Sequence, residues 1–224
     1  GKRVFQDALD LGLLGSPEGQ ALPFALMWAN RMPRRVLPVR RADAPVIDPL
    51  RLVPSDVADF VALITYLGQR YFLRPNYLRV TDKPYFSIFD SSFFLRELGL
   101  AQAAEAIRLA RAALQALGLP GLHLCAIEPA ADVAPHLGAL GFDSVSNYVL
   151  LPTWRGPFQQ DYQECALRRA AEWAGISRAC SLPYTPSVSP GWDASPRGAD
   201  FGAVGAVGAV AWGVRVRSEE RRVG

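Results

Sequence analysis

Several side chains of this 224-residue chain have the types and positions that recognition of a polyhydroxylated ligand requires. Trp28 and Asn30 close a short apolar run. An indole face stacks on apolar C–H surfaces, and a planar amide hydrogen-bonds hydroxyls. The same pair is equally well explained as a core Trp followed by a turn Asn. Asp90, with Ser91 and Ser92 after it, ends a second run. Its carboxylate suits hydroxyl binding or acid/base chemistry, and it suits equally the N-cap of a helix over residues 93–98. Glu128 ends a third run just before Pro129, where the alternative is an ion pair with one of the many arginines. Paired carboxylates about 5–9 Å apart across a sugar linkage are what glycosidic cleavage needs. Tyr148, preceded by Asn147, and Trp154 in the Pro- and Gly-containing loop 152–158 suit the rim of a pocket, or packing beneath that loop. Trp192 and Asp193 emerge where a fifth run should end, with Arg197 shortly after. The expected role of Trp28, Asn30, Asp90, Glu128, Tyr148, Trp154, Trp192 and Asp193 is substrate binding. No catalytic residue is assigned.

These residues must be positioned by regular elements, and the chain supplies an alternation of them. Apolar runs at 23–30, 84–90, 122–128, 144–151 and 184–189 are short enough for strands buried on both faces. Pro186 weakens the fifth, because proline removes a ladder donor. Between them lie stretches of helical spacing. One covers 56–72 with Ser55 as its N-cap, and one covers 101–117 and is closed by Gly118. A short one carries Val133, Leu137 and Leu140 inward with Asp132 as cap, and the last covers 161–179. Strands alternating with helices predict an α/β fold with parallel βα units. No Gly-rich turn joins a strand to its helix in the phosphate-cradling manner, which argues against a doubly wound nucleotide fold. Several strands instead end in polar or aromatic residues and long loops, as in a TIM (β/α)8 barrel. The expectation is a partial barrel of about five parallel strands with outer helices, the strand-end residues converging on one rim.

Composition excludes other classes. Half the residues are apolar and a fifth are charged, as in an ordinary globular domain. The net charge of +3 is scattered, with no basic stripe to suit nucleic acid. Cys125, Cys165 and Cys180 have no metal-like spacing and only His123 and His136 to assist them, so neither a metal nor another cofactor is expected. No run of about 18 apolar residues predicts a membrane-spanning helix. From residue 201 the chain changes character, repeating Gly-Ala-Val and ending Arg-Ser-Glu-Glu-Arg-Arg-Val-Gly. Residues 1–200 are therefore read as the barrel and 201–224 as a low-complexity tail, best explained as a frameshift or assembly scar and expected to pack poorly.

Three segments carry a resemblance. The run 23–30, the stretch Asn76-Tyr77-Leu78-Arg79-Val80 through Lys83-Pro84-Tyr85-Phe86-Ser87-Ile88-Phe89, and Pro190-Gly191-Trp192-Asp193 with Arg197 are similar to glycoside hydrolase family-99-like domains, also called WbsX-like. The resemblance runs in order over about residues 5–200. It implies a (β/α)8 barrel acting on glycans in the company of endo-acting α-mannosidases. The chain departs from that family where Asn30-Arg31-Met32-Pro33 replaces its Asn-Glu-Asn-Trp, which implies a different subgroup. The family's Asn-Glu-Trp motif and the further Glu of its last strand have no counterpart after Asp193. By that alignment the chain holds strands three to seven, and the expected acid/base pair lies outside it. A glycosyltransferase role in polysaccharide synthesis is the alternative implied by the WbsX label, although no Gly-rich loop or Asp-x-Asp pair supplies a diphosphate site. A non-catalytic glycan-binding barrel is the other.

Overall fold

The computed structural model describes residues 6–30, 34–35, 46–47, 56–148 and 160–188. The chain divides into two compact units, residues 1–146 with 179–184, and residues 147–178 with 185–224.

The first unit opens with a wide helical turn at Ala8–Leu13, which carries an i→i+5 bond from Leu14 N to Leu9 O of 2.8 Å. α1 (Pro17–Ala21) starts where Ser16 Oγ accepts the Gly19 N–H and Pro17 supplies a preset φ. β1 (Leu26–Trp28) follows, then a two-stranded antiparallel ribbon of β2 (Arg34–Arg35) and β3 (Val46–Ile47). α2 (Val57–Leu67) buries Phe60, Ile64 and Leu67, one face at helical spacing. Its cap is Asp56, whose Oδ1 accepts from Asp59 N at 2.7 Å; Ser55, expected as the cap, lies outside the described residues. The helix widens over Gly68–Phe72 instead of running on as regular α to residue 72.

β4 (Arg79–Val80) and β5 (Lys83–Ile88) then form a hairpin around Thr81 and Asp82. α3 (Ser91–Leu98) and α4 (Leu100–Ala116) follow, then β6 (His123–Ile127), α5 (Leu137–Leu140) and β7 (Ser144–Ser146). α6 (Tyr162–Ala179) and β8 (Tyr184–Thr185) complete the described elements. The turn before α5 has no side-chain cap, so Asp132 does not play that part. β7 and β8 are shorter than the apolar runs suggested. β7 covers only the first residues of 144–151, and β8 stops at the residue before Pro186, which has no N–H to continue a ladder.

The main sheet has the order β1-β5-β6-β7-β8, with β4 attached to β5. β1, β5, β6 and β7 are parallel to one another. Each strand of this path lies beside the next one in sequence, as consecutive βα units of a barrel do. The chain is α/β, a partial barrel-type sheet of about five strands with helices. Registers divide its two faces. One carries Leu26, Phe86 and Leu124 in a row, and Trp28, Ile88, Ala126 and Val145 in the next. This face meets the helices: Trp28 packs on Phe60 of α2 at 5.8 Å and on Phe94 of α3 at 6.1 Å between ring centroids. Fully burying such side chains contributes about 1.5–3 kcal/mol each. α4 packs on α2 and buries Ala103, Ala106, Ile107, Ala110 and Leu114. The close approach requires Gly68, where an added Cβ would sit 2.6 Å from Leu114 Cδ2.

The opposite face carries Met27, Ser87, Cys125 and Ser144 in one row and Tyr85 with His123 in another. This face is more polar than the apolar runs suggested. Tyr85 stacks on His123 with centroids 5.7 Å apart, and His123 Nε2 lies 2.8 Å from Ser144 Oγ. Burial is the main force holding the His123 imidazole below its usual range, with Lys83 and Arg111 adding to it and Asp143 opposing. Burial also pushes the Tyr85 hydroxyl and Cys125 thiol upward, so both stay protonated near neutral pH. The tail 201–224, including Val204, Val207 and Val210, lies outside the described residues.

Candidate functional site

The C-terminal ends of β1, β5, β6 and β7 share one edge, because parallel strands end on the same side. Asn30 stands just beyond β1 and is wholly buried. Its Nδ2 donates to Asp90 O at 2.8 Å, and its Oδ1 accepts from Asp90 N at 2.8 Å. The amide bridges the ends of two strands through the backbone of one residue. Asn30 thereby joins Asp90 but is not presented to a ligand.

Asp90 itself caps α3: its Oδ1 accepts the Phe93 N–H at 2.8 Å. The cap follows from sequence, since an aspartate before a helix satisfies one of its orphan donors. Ser91 and Ser92, both buried, reach the next strand. Ser91 Oγ donates to Ile127 O at 3.4 Å, and Ser92 Oγ accepts from Ala130 N at 2.9 Å. Between those two contacts sits Glu128. Its N–H donates to Ser146 O at 2.9 Å, which links β6 to the end of β7. Glu128 is exposed and has φ of +42°, a left-handed conformation that costs a non-glycine residue about 1–2 kcal/mol. Pro129 follows it and restricts it further. Such a conformation persists only where its surroundings fix it, and non-glycine residues in sparse backbone regions concentrate at functional sites.

Asn30, Asp90 and Glu128 are therefore placed along one edge of one sheet. Trp28 is not: its register partner is Ile88, and its indole enters the helix layer beside Phe60 and Phe94. The expected convergence fails for Trp28 because pleating turns it to the opposite face from Met27. Tyr148 belongs to the second unit and is 41% exposed. Trp154, Trp192 and Asp193 lie outside the described residues. Ser91 and Ser92, named in the sequence only as companions of Asp90, are the contributors whose reach to the next strand was missed. Small hydroxyls directly after a strand-end aspartate were the available signal.

The other edge of the sheet is stapled differently. Arg111 of α4 donates to Asp143 Oδ2 at 2.6 Å and to Gly141 O at 2.6 Å. Asp143 also accepts from Leu124 N at 2.8 Å, so an ion pair anchors the start of β6. Tyr77 Oη accepts from Leu26 N at 3.2 Å and donates to Tyr85 O at 2.7 Å, joining β1 to β5. A third polar cluster ties the two wide helical turns together. Asp10 accepts from Gln6, Arg70 and Tyr71, the last at 2.9 Å. Burial works to raise the Asp10 pKa, but the bonds from Arg70, Gln6 and Tyr71 hold it below the usual carboxylate value. Burial leads the causes that push the Tyr71 hydroxyl up to about 12.

A groove of about 430 Å3 lies between α4 and α5, lined among others by Ala104, Ile107, Arg108 and Gly141. It belongs to the helix layer and contains none of the strand-end residues. Among the described residues no cluster of three or more His, Cys, Asp or Glu could hold a metal, and no helix is long and apolar enough to cross a membrane.

No family model matches the chain, and no curated protein matches it. A solved structure titled "Glycoside hydrolase-like protein" is similar to it at 16% identity, with a TM-score of 0.48 over 69% of this chain. The chain spans 43% of that structure's length.

Proposed function

We propose that the chain carries part of the glycan-binding rim of a carbohydrate-active (β/α) barrel, akin to the family-99-like glycoside hydrolases. Asp90 and Glu128 are the carboxylates of that rim; Tyr148, Trp154, Trp192 and Asp193 are proposed as substrate-binding residues of the second unit. The observation that supports this reading is the placement of Asp90 and Glu128 at the same edge of adjacent parallel strands, joined through Ser91 and Ser92. The C-terminal ends of the strands are where barrel enzymes bind their ligands. Because the Asp90 carboxylate caps α3, a binding role suits it better than proton transfer.

The test is retardation of the chain in native gels cast with mannan, xylan or dextran. Retardation by at least one polysaccharide is expected, weakened about tenfold by Glu128→Gln through loss of a charged hydrogen-bond acceptor. Migration unaffected by all three would contradict the reading. Release of reducing ends by this chain would show catalysis and contradict a role limited to binding.

A further inference from the structure

The left-handed Glu128 is held from both sides, and the two holds differ in kind. On one side its own N–H is bonded to Ser146 O, a backbone contact that any residue but proline at position 128 would keep. On the other side, two residues further along the chain, the Ala130 N–H is bonded to Ser92 Oγ at 2.9 Å. That contact depends on one buried side chain from a neighbouring βα unit. Ser91 adds its hydroxyl to Ile127 O, just before Glu128. The turn 127–130 is thus pinned at both ends by consecutive hydroxyls of α3, and Glu128 between them is exposed.

Glycine would adopt φ of +42° at no steric cost, and the left-handed positions at 99, 118, 121 and 141 do use glycine, whereas the exposed hairpin pair Thr81 and Asp82 does not. Here a long charged side chain occupies the left-handed position and is followed by Pro129. The structure fixes the backbone of a carboxylate that remains exposed.

We propose that Ser92 is the positioning residue of Glu128: its hydroxyl, by holding Ala130, locks the strained turn and so fixes where the carboxylate meets a ligand. This rests on the glycan-rim reading for the identity of the ligand, but not for the effect of Ser92 on the turn. Asn30 adds a second tier, because its amide holds the backbone of Asp90, the residue from which α3 and its serines start.

The test has two arms on the full chain. The first is independent of any glycan. In Ser92→Ala the backbone carbon shifts of Glu128 move away from their left-handed values, and amide exchange at Ala130 accelerates about tenfold or more as its acceptor is lost. Ser92→Thr, which keeps the hydroxyl, restores both. Unchanged Glu128 shifts and unchanged Ala130 exchange in Ser92→Ala would overturn the proposal.

The second arm is a double-mutant cycle on polysaccharide affinity, using whichever of mannan, xylan or dextran retards the parent chain. Ser92→Ala weakens affinity about tenfold in the parent chain and has no further effect in Glu128→Gln, because Ser92 acts through that carboxylate. Losses that multiply in the double variant would show a merely structural serine and would also overturn it. If the parent chain binds none of the three, the glycan-rim reading falls, while the effect of Ser92 on the turn is still decided by the first arm.

Discussion

Among the described residues, two places hold non-glycine residues in left-handed backbone, and they lie at opposite ends of the sheet strands. Thr81 and Asp82, with φ of +49° and +63°, form the two-residue turn of the hairpin leading into β5. Glu128, with φ of +42°, ends β6. The hairpin residues are exposed, and their neighbour Arg79 donates to the Asp82 carbonyl and to Phe72 O. Positive φ at both turn positions is what a tight hairpin demands, and asparagine and glycine meet it best. Strain there is a local cost of turning the chain. At Glu128 buried hydroxyls from a different βα unit pin the turn on both sides. The same backbone conformation is incidental in one place and enforced in the other, which separates the structural edge of the sheet from its candidate functional edge.

Substitutions that cut the staples of each edge sharpen this contrast. The largest effect is expected at Asn30. Asn30→Ala removes both bridges to Asp90 and orphans its N–H, lowering stability by about 2–3 kcal/mol, or roughly 5–10 °C in Tm, as read by thermal melting. A change within error would show that the rim is not held by this amide. At the opposite edge, Asp143→Ala breaks the Arg111 pair and the bond to Leu124 N. About 1–2 kcal/mol should be lost, with glycan retardation unchanged. Lost retardation with normal folding would erase the distinction between the edges.

A smaller effect concerns pH. The His123 pKa is lowered in the folded state from 6.5, chiefly by burial, so the unfolded chain binds the proton more readily. Its contribution to stability is present above 6.5 and is lost as pH falls through the lowered value. The drop in Tm between about pH 7.5 and about pH 5 should narrow in His123→Gln. An equal drop in both proteins would contradict it.

The sheet was legible in the sequence because both-face burial leaves short, mostly apolar runs, as at 84–88 and 123–127. Asp90 as a cap was legible too, since aspartate before a helix has few other local uses. The direction of Trp28 was not. A fully apolar run has no alternation to show which face a residue takes, and only the register with Ile88 places the indole among helices. The buried bridge by Asn30 and the reach of Ser92 to Ala130 join residues far apart in sequence, so no local pattern announces them. Nor does any residue type reveal a positive φ at glutamate. The polar face shared by Tyr85, Ser87, His123 and Ser144 was not drawn out of the runs because a reading as short strands does not follow their alternation.

The central claim is that left-handed strain at Glu128 serves a ligand whereas that at Thr81 serves only the turn. Matched glycine substitutions test it most directly, with Tm and polysaccharide retardation measured for Thr81→Gly and Glu128→Gly. In both, relief of about 1–2 kcal/mol of strain outweighs an entropic cost of about 0.5–1 kcal/mol, so neither Tm should fall. Thr81→Gly should keep full retardation, and Glu128→Gly should lose it about tenfold or more. Equal retardation in the two variants would contradict the account.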